Sequence, residues 1–190
     1  MGSWQNIANM ALFRLGSNPL VNYETQTGVA PALCREFMQR ATNDVLVKHY
    51  WTCAKVRQRL AALSDAPEGE EWEHQFQLPV NPRCLVVRKT DPDSPWEKAG
   101  SVLLSNESEL VLIYTKEITN PAELDDELDT PISLRLACLI GPKIAGTEPS
   151  LILKLEGLFR IELLEAQGVN AANASKKRKD DSASDWLEAG

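Results

Sequence analysis

The chain has 190 residues, of which 43% are hydrophobic and 25% are charged, and its formal net charge is −7. This length and balance suit one globular domain, or a helical domain that carries a small inserted sheet. The acidic charge argues against a protein whose main task is tight DNA binding, since such binding needs Lys and Arg to neutralise phosphates. DNA could still slide past an acidic wall that repels it.

The N-terminal third of the sequence predicts two helices. The first runs from Ser3, an N-cap, to Leu15, and Gly16 ends it. The second is long, from Val29 to Leu63, because apolar residues recur there at steps of three and four. The opposite face of this long helix carries cations, which we interpret as a solvated or partner-facing surface, with DNA binding as the less favoured alternative: Arg35, Arg40, Lys48, Lys55, Arg57 and Arg59.

The middle of the chain predicts a small antiparallel sheet inserted between helices. Residues 64–73 are rich in Pro, Gly and acids, which is typical of a linker. About five short alternating runs follow, with a tight hairpin connection at 106–108. The runs are Gln75–Leu78, Cys84–Val87, Trp96–Lys98, Val102–Leu104 and Leu110–Tyr114. An acidic stretch from Glu117 to Asp129 closes the region.

The C-terminal third predicts two more helices. Thr130–Pro131 is an N-cap followed by Pro, so a third helix begins there and ends at Gly146, with a kink or short break at Gly141–Pro142. Pro149 marks the start of a fourth helix that continues toward residue 174. Apolar residues lie on more than one side of it between 158 and 164, which indicates that part of it faces a neighbouring subunit.

The predicted fold class is therefore α+β. It is mainly a helical bundle of about four helices, one of them long, with a small inserted antiparallel β-sheet and an extended C-terminal tail. The boundaries are 1–63 for the N-terminal helices, 64–129 for the β-region and acidic linker, 130–174 for the C-terminal helices and 175–190 for the tail. The tail combines a basic run with an apolar pair that would need a pocket: Lys176, Lys177, Arg178, Lys179, Trp186 and Leu187.

The residue pattern predicts a protein that is not an enzyme. Glycine-rich phosphate loops are absent from the sequence, and His49 and His74 are isolated from any credible nucleophile. The cysteines at 34, 53, 84 and 138 are far apart, which is typical of reduced, buried thiols in a cytosolic product. The acids from Asp125 to Asp129 lack a calcium-loop frame and suit a helix start instead. We expect no metal, no cofactor, no signal peptide and no membrane span.

The order of these segments resembles the tail tubular protein A and head–tail adaptor family of tailed bacteriophages. The likeness covers roughly residues 5–175, and only the order and spacing of the pieces make it specific. The break at Gly141–Pro142 departs from the family pattern. The pieces are an opening helix that ends in Leu-Gly (8–16), a long helix with its Tyr-Trp-Thr-Cys-Ala end (32–44, 50–54 and 57–61), a β-region (76–79, 85–87, 100–104 and 112–114), and closing helices (133–145 and 151–172).

The resemblance implies a structural connector without cofactor or catalysis, located at the head–tail junction of a virion and made in the cytoplasm of a bacterial host. Its subunits would form a homo-oligomeric ring, commonly dodecameric, between the portal protein and a downstream tail, nozzle or stopper protein. Genomic DNA would pass through the ring without sequence-specific binding. The C-terminal segment would reach the portal, which makes the tail residues named above the portal-contact candidates.

A closed ring needs two different contact surfaces on each subunit. The basic face of the long helix and the acidic stretch are the two candidate surfaces. If they contact each other between subunits, assembly of the ring should be sensitive to salt. The subunit-interface candidates are Arg35, Arg40, Arg57, Arg59, Glu123, Asp125 and Asp126. The alternatives are another neck component, such as a stopper or tail-completion protein, a DNA-binding regulator that uses the basic helix, and an enzyme of unknown type.

Overall fold

The computed structural model describes residues 3–67, 69, 71–144 and 148–184, with side chains to residue 174. The chain divides into a helical unit of residues 1–53 and 119–190 and a β unit of residues 54–118. The helices are α1 (Trp4–Arg14), α2 (Val29–Leu46), α3 (Asp129–Ile144) and α4 (Pro149–Ser184). The strands are β1 (Lys55–Ala61), β2 (His74–Gln77), β3 (Cys84–Asp91), β4 (Trp96–Ala99), β5 (Val102–Ser105) and β6 (Glu109–Lys116). The α+β class is confirmed.

Helix α3 is the centre of the helical unit. It contacts α1, α2 and α4, and these are the main helix–helix contacts of the unit. A helix that is apolar on most of its circumference must be covered on most sides, and the buried residues of α3 lie all along it: Ile132, Leu134, Leu136, Ala137 and Ile140. The other three helices therefore each lay one face against α3.

The predicted long helix from Val29 to Leu63 is wrong in its second half. Helix α2 ends at Leu46, and residues 55–61 form strand β1. Trp51 lies against the C-terminal end of α2. Its side chain is fully buried, and its indole N–H donates to the carbonyl of Val45 at 3.1 Å. Val56 and Leu60 are four residues apart, a spacing that places them on one face of a helix and equally on one face of a strand, and pairing with β6 decides between the two.

The β unit contains two antiparallel three-stranded sheets, in the orders β1-β6-β3 and β2-β5-β4. Their inner faces share one apolar core, which includes Leu60 of β1, Phe76 of β2, Leu103 of β5 and Tyr114 of β6. The two ends of the unit meet, because the amide N–H of Lys116 donates to the carbonyl of Ala54 at 2.8 Å. The unit is thus inserted into the helical chain through adjacent ends.

The predicted single sheet and its hairpin at 106–108 need correction. Strand β5 lies in one sheet and β6 in the other, so residues 106–108 cross between sheets. The hairpin is instead β4–β5, in which Gly100 occupies the turn with a φ of 60° that suits glycine. Local turn composition cannot distinguish a crossing from a hairpin, since both need the same tight chain reversal.

The two C-terminal helices also differ from their predicted limits. Helix α3 runs through Gly141–Pro142 without a break, because the exposed Pro142 falls in the last turn and affects only the end of the hydrogen-bond ladder. The predicted end at Gly146 lies outside the described residues. Helix α4 begins at Pro149, as predicted, and its backbone runs to Ser184, past the predicted tail boundary at 175, since this stretch contains neither Gly nor Pro.

We expect Phe76→Ala to lower the free energy of unfolding by about 3–5 kcal/mol, because it leaves a cavity in the core shared by both sheets. Urea denaturation followed by circular dichroism measures this loss. The matched control is Phe13→Ala, since Phe13 is 84% exposed and its truncation should change the stability by less than about 0.5 kcal/mol. Equal losses in the two variants would contradict the assigned core.

Candidate functional site

Helix α4 carries apolar side chains on two opposite sides. The buried side chains Leu155, Leu163, Ala166 and Asn170 fall within an arc of about 80° at the usual 100° per residue. A wider arc on the opposite side holds large apolar side chains that remain exposed: Leu153, Leu158, Ile161, Leu164 and Val169. Such an uncovered apolar face is typical of an interaction surface. It confirms that apolar residues lie on more than one side of this helix.

Two glycines lie within the exposed arc. A Cβ added at Gly157 or Gly168 would meet nothing within 4 Å, so packing inside the subunit does not require either glycine. Each costs the helix about 1 kcal/mol relative to alanine. With the large residues they form a row at steps of four, four, three and four, the spacing by which helices pack. We call this row the α4 seam: Leu153, Gly157, Ile161, Leu164 and Gly168.

Asn170 fixes α4 against the segment that follows α2. Its side chain is 3% exposed, its Oδ1 accepts from the amide N–H of Thr52 at 3.0 Å, and its Nδ2 lies 3.1 Å from Nε2 of His49. The His49 ring packs edge-on against Trp51, with centroids 4.7 Å apart. A buried amide with several partners fixes the rotation of its helix. The seam is therefore held facing outward.

A second uncovered surface is a cleft of about 680 Å³ between α1, the chain that follows it and the start of α3. We call it the Phe13 cleft. Phe13, which is 84% exposed, forms one wall. The other lining residues are Asn6, Asn9, Met10, Arg14, Ser17, Pro19 and Asp129. An aromatic side chain left this exposed is a common anchor of protein interfaces.

The two charged residues of the Phe13 cleft differ in their partners. The Arg14 guanidinium donates to Oγ of Ser133 at 2.9 Å and to the carbonyl of Met10 at 3.1 Å. Within the described part of the chain, the buried Oδ1 of Asp129 has no hydrogen-bond partner. Burial, with the Asp126 carboxylate adding to it, raises the pKa of Asp129 above its usual range. This oxygen is buried, so the cleft does not present it to a ligand.

The predicted basic helix face does not exist as one surface. Arg57 and Arg59 lie on β1 in the β unit, where they pair with Asp91 and with Glu109 respectively. Arg35 lies on α2 and donates to the loop carbonyls of Tyr23 and Gln26 at 2.7 and 3.1 Å. Arg40 is exposed on α2. The prediction placed these cations on one face because it treated residues 47–63 as part of the helix.

The acidic candidates lie in the short connection before α3. Glu123 belongs to a 3₁₀ turn and is exposed, and Asp126 belongs to a second 3₁₀ turn. Asp125 is half-buried and lies beside the Cys53 thiol. The side chains of the portal-contact candidates at 176–179, and residues 186 and 187 altogether, lie outside the described residues.

The cysteines are free thiols, and all but the half-buried Cys53 are buried. Burial raises the pKa of Cys34 to about 11 and that of Cys53 to about 12. Since a thiolate is the reactive species, both thiols are protonated and inert near neutral pH. The predicted burial of most of these thiols is confirmed. Among the residues with described positions, no cluster of His, Cys, Asp or Glu has the makings of a metal site.

Sequence reasoning missed both the Phe13 cleft and the glycines of the seam. Phe13 lies off the predicted apolar face of the first helix, and this misplaced aromatic residue was the available signal. Gly157 and Gly168 inside a predicted helix were a second signal, since such glycines often have a packing reason. None of the described helices is both long enough and apolar enough to cross a membrane.

Neither a scan of protein-family models nor a search of curated proteins finds a match to this chain. The assignment of a function therefore depends on the geometry of these surfaces and on the sequence pattern.

We expect Leu164→Asp to leave the free energy of unfolding of the subunit within about 0.5 kcal/mol, because this residue is 68% exposed. The adjacent Leu163 is 9% exposed, and Leu163→Asp should cost about 3 kcal/mol or more. Chemical denaturation of the two variants measures the difference. Similar losses at both positions would show that the seam is part of the subunit core.

We expect the native thiols to react slowly with Ellman's reagent at pH 8, because the raised pKa values of Cys34 and Cys53 leave little thiolate there. The reaction rate should rise as the pH approaches those values. The control is the protein in guanidinium chloride, in which all four thiols should react rapidly. Rapid reaction of Cys53 in the native protein at pH 8 would contradict its assigned environment.

Proposed function

We propose that this protein is the subunit of a head–tail adaptor ring in a tailed bacteriophage, a structural connector beneath the portal. The observation that carries the proposal is the outward-facing α4 seam, a long apolar helix face that the subunit itself leaves uncovered. Exposed apolar surface of this kind is costly in water and typical of a part that is buried on assembly.

The arrangement of the two units supports the same role. The resemblance implies an opening helix, a long second helix, an inserted β-region and two closing helices. The chain has helices, a β unit and helices in that order, but its second helix ends at Leu46 and residues 57–61 belong to β1. The β unit enters and leaves through adjacent ends at Ala54 and Lys116. Such an insertion leaves the helical unit continuous in space, so it can build a ring while the β unit contacts another component.

The environment of the titratable residues favours a structural role over catalysis. His49 is held by Asn170 and Trp51, and burial keeps the thiols of Cys34 and Cys53 protonated. A catalytic nucleophile or base needs the opposite environment, with a matched pKa and an accessible reacting atom. These residues instead stabilise the fold.

The proposed partners are further copies of the chain, the portal protein above the ring and a tail, nozzle or stopper protein below it. Genomic DNA passes through the channel without sequence-specific contacts, consistent with the net charge of −7. A DNA-binding regulator is disfavoured, because the cations on which it depended are divided between α2 and β1, and Arg35, Arg57 and Arg59 have partners within the chain.

We expect purified protein mixed with the portal protein of the same phage to form a ring stacked on the portal in electron micrographs. The controls are each component alone and the Leu164→Asp variant, which should reduce ring occupancy because it places a charge within the apolar seam. Failure of the wild-type protein to associate with portal would reject the adaptor role. Association below a separate adaptor ring would instead support a stopper.

We expect deletion of residues 176–190 to weaken capture of the protein by immobilised portal while leaving its thermal unfolding unchanged. The physical reason is that the basic run and the Trp-Leu pair are the proposed portal anchor. A pull-down at physiological salt measures capture. Unchanged capture of the truncated protein would remove the tail from the portal interface.

A further inference from the structure

We infer that His49 and Asn170 form a pH-sensitive latch, which holds the C-terminal part of α4 while the imidazole is neutral and releases it when the ring is protonated. The inference concerns the subunit by itself and does not depend on the proposed ring. Asn170 is the last buried residue of α4 among the side chains that the structure describes, since residues 171–174 are exposed. Its side chain is therefore the last one on this helix that the rest of the unit encloses.

The hydrogen bonds of Asn170 fix which of its atoms faces His49. The amide N–H of Thr52 can only donate, and it lies 3.0 Å from Oδ1 of Asn170. The carbonyl of Tyr50 can only accept, and it lies 3.5 Å from Nδ2. Both partners place the NH2 group, which only donates, 3.1 Å from Nε2 of His49. Nε2 must therefore be an acceptor, as it is in the neutral ring with the proton on Nδ1.

Protonation of His49 turns this contact from attractive to repulsive. In the imidazolium both ring nitrogens carry a hydrogen, so the Nε2–H would point at the NH2 group of Asn170. A rotated amide does not remove the conflict, because it would place the NH2 group against the amide N–H of Thr52. A buried donor that faces another donor is costly, so the protonated ring favours separation of His49 from Asn170.

The direction of the pH dependence follows from proton binding. The latched state holds a neutral ring, and a released histidine binds a proton with the ordinary pKa of about 6.5, so the released state gains protons as the pH falls. The latch is therefore at its most stable above this value and weakens as the pH falls through it. Between pH 7.5 and pH 5.5 the ratio of released to latched molecules should rise about tenfold.

The charged and titratable groups near the latch come from several elements of the helical unit. They are Lys48, Tyr50 and Cys53 on the same segment, Asp125 beside Cys53, the Asp44–Arg135 pair, and Glu156 and Arg160, which share a cleft with Lys48. Helix α4 itself has no charged residue between Glu165 and Lys176. Asp129 has a raised pKa, so its titration extends toward the same pH range. A variant that removes only the histidine keeps all of these groups and isolates the contribution of His49.

Amide hydrogen exchange at Thr52 tests the latch in the full-length chain, because this N–H donates directly to Asn170. After correction for the intrinsic effect of pH on exchange, its protection factor should fall about tenfold from pH 7.5 to pH 5.5. His49→Gln offers an amide oxygen in place of Nε2 and does not titrate, so protection should stay constant over this range. The matched control is His74→Gln in the β unit, the other histidine of the sequence, which should behave like the unsubstituted chain.

Asn170→Asp should reverse the sign of the effect. One carboxylate oxygen still accepts from Thr52, and the other accepts from the Nε2–H of a protonated His49, so protection should rise between pH 7.5 and pH 5.5. A role of Asn170 in packing alone would not produce this reversal. Protection that falls in this variant as it does in the unsubstituted chain would contradict the latch.

Nitrogen NMR of the His49 ring gives a readout that needs no variant in the latch. At pH 7.5 Nε2 should be unprotonated and Nδ1 should carry the hydrogen, with the His74→Gln chain used to assign the signals. A hydrogen on Nε2 at pH 7.5 would overturn the inference. So would a pH dependence of Thr52 protection that is the same in His49→Gln as in the unsubstituted chain.

Discussion

The burial of α3 by three neighbouring helices is the constraint on which the helical unit depends. Its core residues Ile132, Leu136 and Ile140 have no exposed surface, so α1, α2 and α4 each contribute one apolar face to cover it. Helix α4 contacts chiefly α3 and the short turn before α3, and both lie on its inner side. The seam on its outer side is therefore left facing solvent.

This arrangement separates stability from assembly on a single helix. One side of α4 holds the subunit together through Leu155, Leu163 and Ala166, and the opposite side carries large apolar residues that are 47–69% exposed. Helix α1 is divided in the same way: its inner face packs on α3, and Phe13 is exposed on its outer side. Since core packing tolerates little change in volume, interaction residues placed on the outer faces can vary without weakening the fold.

Polar contacts decide where each unit begins. The indole N–H of Trp51 satisfies a carbonyl at the end of α2, and Asn170 accepts the amide N–H of Thr52, two residues before the β unit starts. In the β unit, Arg59 pairs with Glu109 of the adjacent β6, and Arg57 pairs with Asp91 of β3 on the far side of β6. Exposed pairs of this kind contribute at most about 1 kcal/mol each, so they align side chains more than they stabilise the unit.

The sequence alone determined the α+β class, the start of α4 at Pro149 and the positions of most strands, because capping residues and alternation are local signals. It did not determine the end of α2, since residues 55–61 fit both a helix and a strand and only pairing with β6 selects one. Nor could it show that 106–108 crosses between sheets. The Phe13 cleft and the seam were decided by tertiary structure, because whether an apolar side chain is exposed depends on which faces the rest of the chain has covered.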